Sequence, residues 1–179
     1  MYIHHVNRYL CDSATLFTKP IKVIGGGKTR QISSFIGVSS IKDHESKVLI
    51  HDAVRPFINQ KIIDECIIKL DKFKAVSTVI PVSDTLYCKD NEDRIIDIPK
   101  RENYIRAQTP QGFYIETIKK AHQLAINDEF YQAPDDCFLI QKYKLAEIGL
   151  VAGNVYNFKV TYPFDIDFAE TILDKYYEV

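Results

Sequence analysis

Short apolar runs alternate along this chain with longer stretches of helical period, and the alternation predicts elements one by one. Residues 21–24 (IKVI) form an apolar strand that runs into Gly25-Gly26-Gly27, and a helix is expected over residues 29–39. Residues 48–50 make a second apolar strand, closed by His51-Asp52. From Asn59 the period changes. Ile63, Cys66, Ile67 and Leu70 recur on one helical face, while Lys61, Asp64, Lys69 and Asp71 fall elsewhere. Residues 75–81 (AVSTVIP) form a third strand, rich in the β-branched side chains that suit a pleated surface.

Strand, helix and strand in turn indicate an α/β domain with a mostly parallel sheet. A different texture follows. Residues 85–88 (TLYC) and 94–98 (RIIDI) flank KDNED, the pattern of a hairpin with a polar tip. Inserted in an α/β sheet, such a hairpin, spanning about residues 84–100, projects as an arm that reaches a partner subunit. Residues 114–126 predict an amphipathic helix with Ile115, Ile118, His122 and Ala125 in phase, which makes His122 a packed histidine rather than a catalyst. Pro134-Asp135-Asp136 marks another helix start, with Pro suited to the first turn and acids to the positive end of the dipole. Late strands are expected over residues 145–151 and 156–160, and a closing helix over 165–176 with Phe168, Ala169, Ile172 and Leu173 inward. No repeat, low-complexity tract or linker interrupts the pattern, so residues 1–179 are expected to make one domain.

Composition narrows the picture without specifying chemistry. Apolar residues are 46% and charged residues 26% of the 179, an ordinary balance that can bury one core. The formal net charge of -1 argues against non-specific binding of nucleic acid. Cys11, Cys66, Cys88 and Cys137 contain no C-x-x-C pair, so neither a disulfide framework nor a zinc site is expected. The adjacent His4-His5 pair does not suit a single ion. No apolar run approaches the ~18 residues that span a bilayer. The N-terminal stretch also lacks the basic start and long apolar core of a signal peptide. The expectation is a cytoplasmic protein with no membrane partner.

In open α/β sheets ligands collect beyond the carboxyl ends of the strands, and two predicted ends carry pointed residues. His51-Asp52-Ala53-Val54-Arg55-Pro56 places a carboxylate where it can bind Mg²⁺ or a ribose hydroxyl, since Mg²⁺ takes one or two carboxylates plus phosphate oxygens. Arg55 offers a planar fork to phosphate or holds Asp52 in place. A structural ion pair at a strand end fits that spacing equally well. Gly26-Gly27-Lys28-Thr29-Arg30-Gln31-Ile32-Ser33 is a glycine turn opening a helix; it admits a ligand close to the backbone and presents free N–H donors. A plain helix cap has the same pattern, and the Walker spacing is absent. Arg101, Arg106 and Thr109 surround QTPQ and join cationic forks to a hydroxyl, a combination suited to phosphate. Alternation over residues 156–160 puts Asn157 and Lys159 on one strand face. Taken singly, these basic residues fit a solvated surface as well.

Taken together, GGKTRQIS, VLIHDAVRPF, PVSDT, IPKRENYIRAQTPQGF and NVYNFKVTYPFDIDFAETIL run in order from about residue 20 to the C-terminus. They resemble the cytidylyltransferases that make CDP-ribitol from ribitol 5-phosphate and, more distantly, those that make CDP-methylerythritol for isoprenoid synthesis. The resemblance implies a Rossmann-like, mostly parallel sheet of the nucleotide-diphospho-sugar transferase type. It also implies a protruding arm that builds a homodimer, Mg²⁺ as cofactor, and CTP and a polyol phosphate as substrates, with ribitol 5-phosphate preferred. By matched position, Gly26, Gly27 and Ser33 meet the cytosine. Asp52 holds Mg²⁺ or the CTP ribose and phosphates, with Arg55 organising that loop. Thr85, Arg101 and Thr109 bind the polyol phosphate, some of them across the dimer, and Lys159 stabilises the α-phosphate. In the implied reaction a phosphate oxygen of the polyol phosphate attacks the α-phosphorus in line and pyrophosphate leaves.

Two departures qualify the resemblance. Members of the family begin with a strand and a glycine-rich loop whose arginine and lysine wrap the triphosphate. This sequence begins after both, and its first glycine is Gly25. The expectation is a chain short of that strand and loop, with impaired turnover. Pro134-Asp135 stands where Thr-Asp is usual, which removes a hydroxyl from the expected substrate pocket. The competing readings are the methylerythritol-phosphate branch and a non-catalytic remnant that still dimerises.

Overall fold

The computed structural model of the chain describes residues 19–176, so His4, His5 and Cys11 lie outside the described residues. Within them the elements follow as α1 (Arg30–Ser39), β1 (Lys47–Ile50), α2 (Gln60–Lys69), β2 (Ala75–Pro81), β3 (Cys88–Lys89), β4 (Ile95–Asp97), β5 (Ile105–Tyr114), α3 (Ile115–Asn127), α4 (Asp136–Lys142), β6 (Ile148–Ala152) and α5 (Phe164–Tyr176). The main sheet has the order β1-β5-β2-β6, and β3 and β4 pair separately as the arm. β1, β2 and β6 point the same way; β5 runs against its neighbours β1 and β2, and β2 pairs β6 in parallel. The α/β class is therefore as expected, with one antiparallel strand set inside a sheet otherwise of one direction.

That inner strand is the main departure from the sequence reading. The QTPQ segment lacks strand alternation because Gln108 and Gln111 are buried, 4% and 2% exposed, in positions where apolar residues would be looked for. Their amides are satisfied internally, so burial costs little. Gln111 Nε2 donates to Asp135 Oδ2 at 2.8 Å, and Gln108 Nε2 donates to the Asn154 carbonyl at 2.9 Å. The β2–β5 register shifts between Ser77 and Val79, next to a cis Thr109–Pro110 peptide, and Thr78 Oγ1 donates to the Pro110 carbonyl at 2.7 Å across that irregularity.

Other expectations shift for local reasons. Residues 21–24 make no ladder; Ile21 is half exposed between Pro20 and the glycines. Residues 156–160 form no strand, because Asn154 turns the chain: its Oδ1 accepts from the Tyr156 N–H at 2.8 Å and its carbonyl from the Asn157 N–H at 3.0 Å. Pro134 precedes the cap of α4 rather than sitting in its first turn, and Asp135 is the cap, accepting from the Phe138 N–H at 2.7 Å. The buried face of α2 is Ile62, Cys66 and Leu70, and Ile67 is exposed. On α5 Ile172 is buried, whereas Phe168 and Leu173 face outward.

Two clusters of buried side chains flank the sheet. One gathers Phe113, Ile115, Ile118, Ala121 and Ala125 with Leu139 and Ile140 of α4, so α3 and α4 share a face. The other gathers Ile62, Cys66, Leu70, Val76 and Val151 under α2. Burial raises the thiol pKa of both Cys66 and Cys137, which leaves them inert packing residues, while Cys88 is exposed on the arm. The arm also exposes Tyr87, Ile95, Ile96 and Ile98. Among the described residues no helix is long and apolar enough to cross a membrane.

Candidate active site

At the carboxyl end of β1 the chain leaves the sheet and turns, with the Arg55 N–H donating to the Asp52 carbonyl at 3.0 Å. The turn brings the Arg55 side chain back over Asp52, Nε to Oδ2 3.4 Å. From the far end of the chain, Lys159 Nζ reaches the same carboxylate oxygen at 3.3 Å. Lys159 stands on an irregular segment that is fastened by the Val160 N–H donating to the Val54 carbonyl at 2.8 Å, and by Phe158 stacked on Phe57 with ring centres 5.7 Å apart. The notion of a strand face shared by Asn157 and Lys159 is thereby replaced: Asn157 is fully buried and Lys159 half exposed.

Thr109 enters from β5. Its hydroxyl accepts from the Asp52 N–H at 3.0 Å and lies 3.0 Å from His51 Nδ1. His51 Nε2 is 2.9 Å from the Arg55 carbonyl, which can only accept, so Nε2 carries a proton and Nδ1 faces the Thr109 hydroxyl. Asn157 ties the same pieces from behind. Its Nδ2 donates to the Thr109 carbonyl at 2.7 Å, and its own carbonyl accepts from Arg55 Nη1 at 2.8 Å. Asn157 Oδ1 is buried with no partner.

These contacts enclose a cavity of about 180 Å³ whose wall includes Asp52, Arg55, Thr109 and Lys159. Four of the candidate residues therefore converge, and the acid is paired with two cations. Arg30, Gln108, Gln111, Pro134, Asp135 and Asp136 complete much of the wall. Pro134 and Asp135 lie on this wall as the expected substrate pocket implied, whereas the sequence reading assigned Arg30, Gln108, Gln111 and Asp136 no role at the site, although Arg30 lies inside the GGKTRQIS motif that carried the resemblance. Arg30 Nη1 donates to Asp136 Oδ2 at 2.7 Å, and Ser34 Oγ donates to Asp136 Oδ1 at 2.7 Å. Burial opposes ionisation of Asp136, but hydrogen bonds from His122 and Arg30, the charge of Arg30 and the Ser34 hydroxyl outweigh it and hold the carboxyl below its ordinary value. His122 is 1% exposed, the packed histidine that was expected.

The remaining candidates stand apart from that wall. Ser33 Oγ donates to the Thr29 carbonyl and accepts from the Gly27 N–H, both at 3.0 Å, which closes the glycine turn against α1. A Cβ on Gly27 would lie 2.1 Å from Ile32 Cγ2, so the turn admits no side chain there. Gly26, Gly27 and Ser33 are not part of the cavity wall; Arg30 links their turn to it. Arg101 lines a different cavity, of about 410 Å³, at the base of the arm, where its Nη1 donates to the Ser83 carbonyl at 2.9 Å. Thr85 is exposed on the arm. Within one chain, then, Thr85 and Arg101 do not join Asp52 and Lys159. Arg106 lines a third cavity, of about 320 Å³, that shares Arg55 and Lys159 with the first.

Comparison with known proteins gives this arrangement a context. The family model described as IspD: 2-C-methyl-D-erythritol 4-phosphate cytidylyltransferase matches residues 4–175. A 2-C-methyl-D-erythritol 4-phosphate cytidylyltransferase of Prochlorococcus marinus (strain MIT 9515) is 37% identical over 167 residues, covering 93% of this chain and 74% of the relative. The bifunctional ribulose 5-phosphate reductase/CDP-ribitol pyrophosphorylase Bcs1 of Haemophilus influenzae is 39% identical over 160 residues, covering 87% of this chain and 34% of the relative. The crystal structure of 4-diphosphocytidyl-2C-methyl-D-erythritol synthase from Anaerococcus prevotii superposes with a TM-score of 0.86 at 28% identity, covering 94% of this chain and 77% of that one.

Proposed function

This chain belongs to the IspD family of 2-C-methyl-D-erythritol 4-phosphate cytidylyltransferases, and we propose that it joins CTP to a polyol phosphate, giving a CDP-polyol and pyrophosphate. The observation that carries the reading is the convergence of Asp52, Arg55, Thr109 and Lys159 on one cavity at the carboxyl end of β1. In this reaction a phosphate oxygen of the polyol phosphate forms a bond to the α-phosphorus of CTP, and the bond to the bridging oxygen of the pyrophosphate breaks. Negative charge on the transferred group rises as the two phosphates approach. Lys159, half exposed and able to leave Asp52, neutralises it, and Arg55 keeps the Asp52 loop in register. Such preoriented charge is worth several kcal/mol in acceleration, and no covalent enzyme intermediate is needed.

Asp52 is suited to holding Mg²⁺. Its Oδ2 faces Arg55 and Lys159 at 3.4 and 3.3 Å, contacts loose enough to yield to a metal. Among the described residues no group of three or more acidic, histidine or cysteine side chains gathers anywhere, so Asp52 would hold the metal as a lone carboxylate. Mg²⁺ needs only one or two carboxylates when phosphates supply the rest; when bound it neutralises phosphate charge. Gly26, Gly27 and Ser33 would flank the base, on the side of the cavity that Arg30 closes. The exposed Tyr87, Ile95, Ile96 and Ile98 would seat the arm against a second copy of the chain. In that homodimer Thr85 and Arg101 would bind the polyol phosphate of the partner's site.

The family is named for methylerythritol phosphate, and we take 2-C-methyl-D-erythritol 4-phosphate as the first substrate in place of the ribitol preference implied by the resemblance of the IPKRENYIRAQTPQGF block and the NVYNFKVT stretch. Ribitol 5-phosphate is the second reading, supported by the 39% identity to the CDP-ribitol pyrophosphorylase of Haemophilus influenzae. Pyrophosphate release from CTP, measured with each polyol phosphate in turn, tests both. Faster turnover with the methylerythritol compound is expected. Faster turnover with ribitol 5-phosphate would reverse the assignment, and release with neither would end the transferase reading.

A further inference from the structure

The three cations on the wall of the Asp52 cavity are not held alike. Arg55 and Lys159 share Asp52, and Arg55 is also tied to the Asn157 carbonyl. Arg30 instead is gripped from behind, through Nη1 alone among the described contacts, by a carboxylate that is itself only 1% exposed while the Arg30 side chain is 39% exposed. That asymmetry is not what a purely structural pair needs, since a core pair buries both partners. It is what orienting a guanidinium toward a ligand needs: one edge pinned, the other edge open, on the wall of a cavity.

The grip is reinforced at several points. Asp136 also accepts from Ser34 Oγ at 2.7 Å and has His122 Nε2 at 3.3 Å. Next to Arg30, Gln31 Nε2 donates to the Phe130 carbonyl at 2.7 Å and its Oε1 accepts from the Ala133 N–H at 2.9 Å. From the β5 side, Gln111 Oε1 accepts from the N–H groups of Asp136 and Cys137 at 3.1 and 3.2 Å. The first turn of α1 is thus bolted to the start of α4, and Arg30 stands at the joint with little freedom to lose on binding.

We propose that Arg30 is a phosphate-contacting residue of this cavity and that Asp136 is its positioning residue. The proposal rests on the transferase reading only for whose phosphate is bound, that of CTP or that of the polyol phosphate. The planar fork matters as well as the charge, because a guanidinium engages two phosphate oxygens at once and an ammonium does not.

The test is calorimetric binding of CTP with Mg²⁺, of each polyol phosphate and of inorganic phosphate to the wild-type chain and two variants. Arg30→Lys keeps the charge and loses the fork. The double variant Arg30→Met/Asp136→Leu removes the pair together, so no buried charge is stranded and Ser34 and His122, 3.4 Å apart, can pair with each other. A rise in Kd of about tenfold or more is expected for at least one phosphate probe. A loss confined to CTP assigns the nucleotide's phosphate, and one confined to the polyol phosphates assigns theirs. Affinities within twofold of wild type for every probe, in folded variants, would overturn the proposal. A second measurement needs no variant: phosphate should shield Arg30 of the wild-type chain from phenylglyoxal, read by peptide mass spectrometry, and unshielded modification would count equally against it. Wild-type chain that binds phosphate through Arg30 but releases no pyrophosphate would sink the transferase reading alone. Normal turnover with unchanged affinity in Arg30→Lys would sink this inference alone.

Discussion

Lys159 Nζ stands 3.3 Å from Asp52 Oδ2, and neither residue belongs to a helix or strand. The lysine side chain is 49% exposed and the aspartate 26%, so the pair contributes little to stability, about 0–1 kcal/mol for a contact of this kind. In the proposed reaction its worth lies in charge placed beside the reacting phosphates. Lys159→Met is therefore expected to leave the melting temperature within a few degrees of wild type while lowering kcat by roughly 10²–10³-fold. A matched loss of stability and activity, measured by thermal melts alongside pyrophosphate release, would make Lys159 a structural residue.

Asp52 is expected to act on binding before it acts on rate. Asp52→Ala removes the carboxylate suited to Mg²⁺ and releases Arg55 and Lys159 from their shared partner. CTP titrated calorimetrically into this variant should show no gain in affinity when Mg²⁺ is added, whereas the wild-type chain should. A preserved Mg²⁺ effect would move the metal away from Asp52.

Gly153 gives a way to disturb the site without touching it. It follows β6, its N–H donates to the Val79 carbonyl at 2.8 Å, and a Cβ there would lie 2.3 Å from Gln108 Oε1 and 3.0 Å from the Val79 carbonyl oxygen. Gln108 in turn holds Asn154, the residue that turns the chain toward Asn157 and Lys159. Gly153→Ala should cost about 1–3 kcal/mol by overpacking. It should also lower kcat, because Gln108 must shift and the Lys159 segment with it. Unchanged kcat at reduced stability would show that Gln108 does not set the position of Lys159.

The parts of this molecule that were legible in the sequence are those in which one side chain suffices as a signal. Asn59 and Thr29 cap α2 and α1 as their residue types suggest, accepting from the N–H groups of Ile62 and Ile32 at 3.0 and 3.1 Å. The buried positions of α3 followed the helical period, His122 included. The convergence of Asp52, Arg55, Thr109 and Lys159 on one cavity could be anticipated because each lies in a motif with a recognisable order. What escaped was whatever depends on partners distant in sequence. β5 was hidden by two glutamines that are buried only because Asp135 and Asn154 receive their amides. Arg30 was hidden because its acid, Asp136, sits beyond β5 and α3, and nothing in the local pattern of either residue announces the other.

That same Asp136 supplies a prediction whose sign can be worked out. Burial disfavours its charge, yet the donors His122, Arg30 and Ser34 and the positive Arg30 hold its carboxyl below the ordinary value of 3.8. A group whose pKa is lower in the folded chain than in the unfolded one stabilises the fold above the unfolded value, about 3.9 for aspartate. That contribution is lost as pH falls through the folded value. Asp136→Asn should therefore be less stable than wild type at pH 7. The deficit should be about 2 kcal/mol, below the 3–5 typical of a pair buried on both sides, because the Arg30 side chain is 39% exposed. The gap should hold down to about pH 5 and close below about pH 4, as the wild-type carboxyl takes up the proton that makes it resemble the amide. Asp43 and Asp90 also have lowered pKa values, but both are unchanged in the variant and cancel in the difference. Chemical denaturation of the two chains across this range decides the matter: a gap that stays constant into strong acid would mean that the Asp136 contacts act through shape and hydrogen bonding, with its charge contributing nothing.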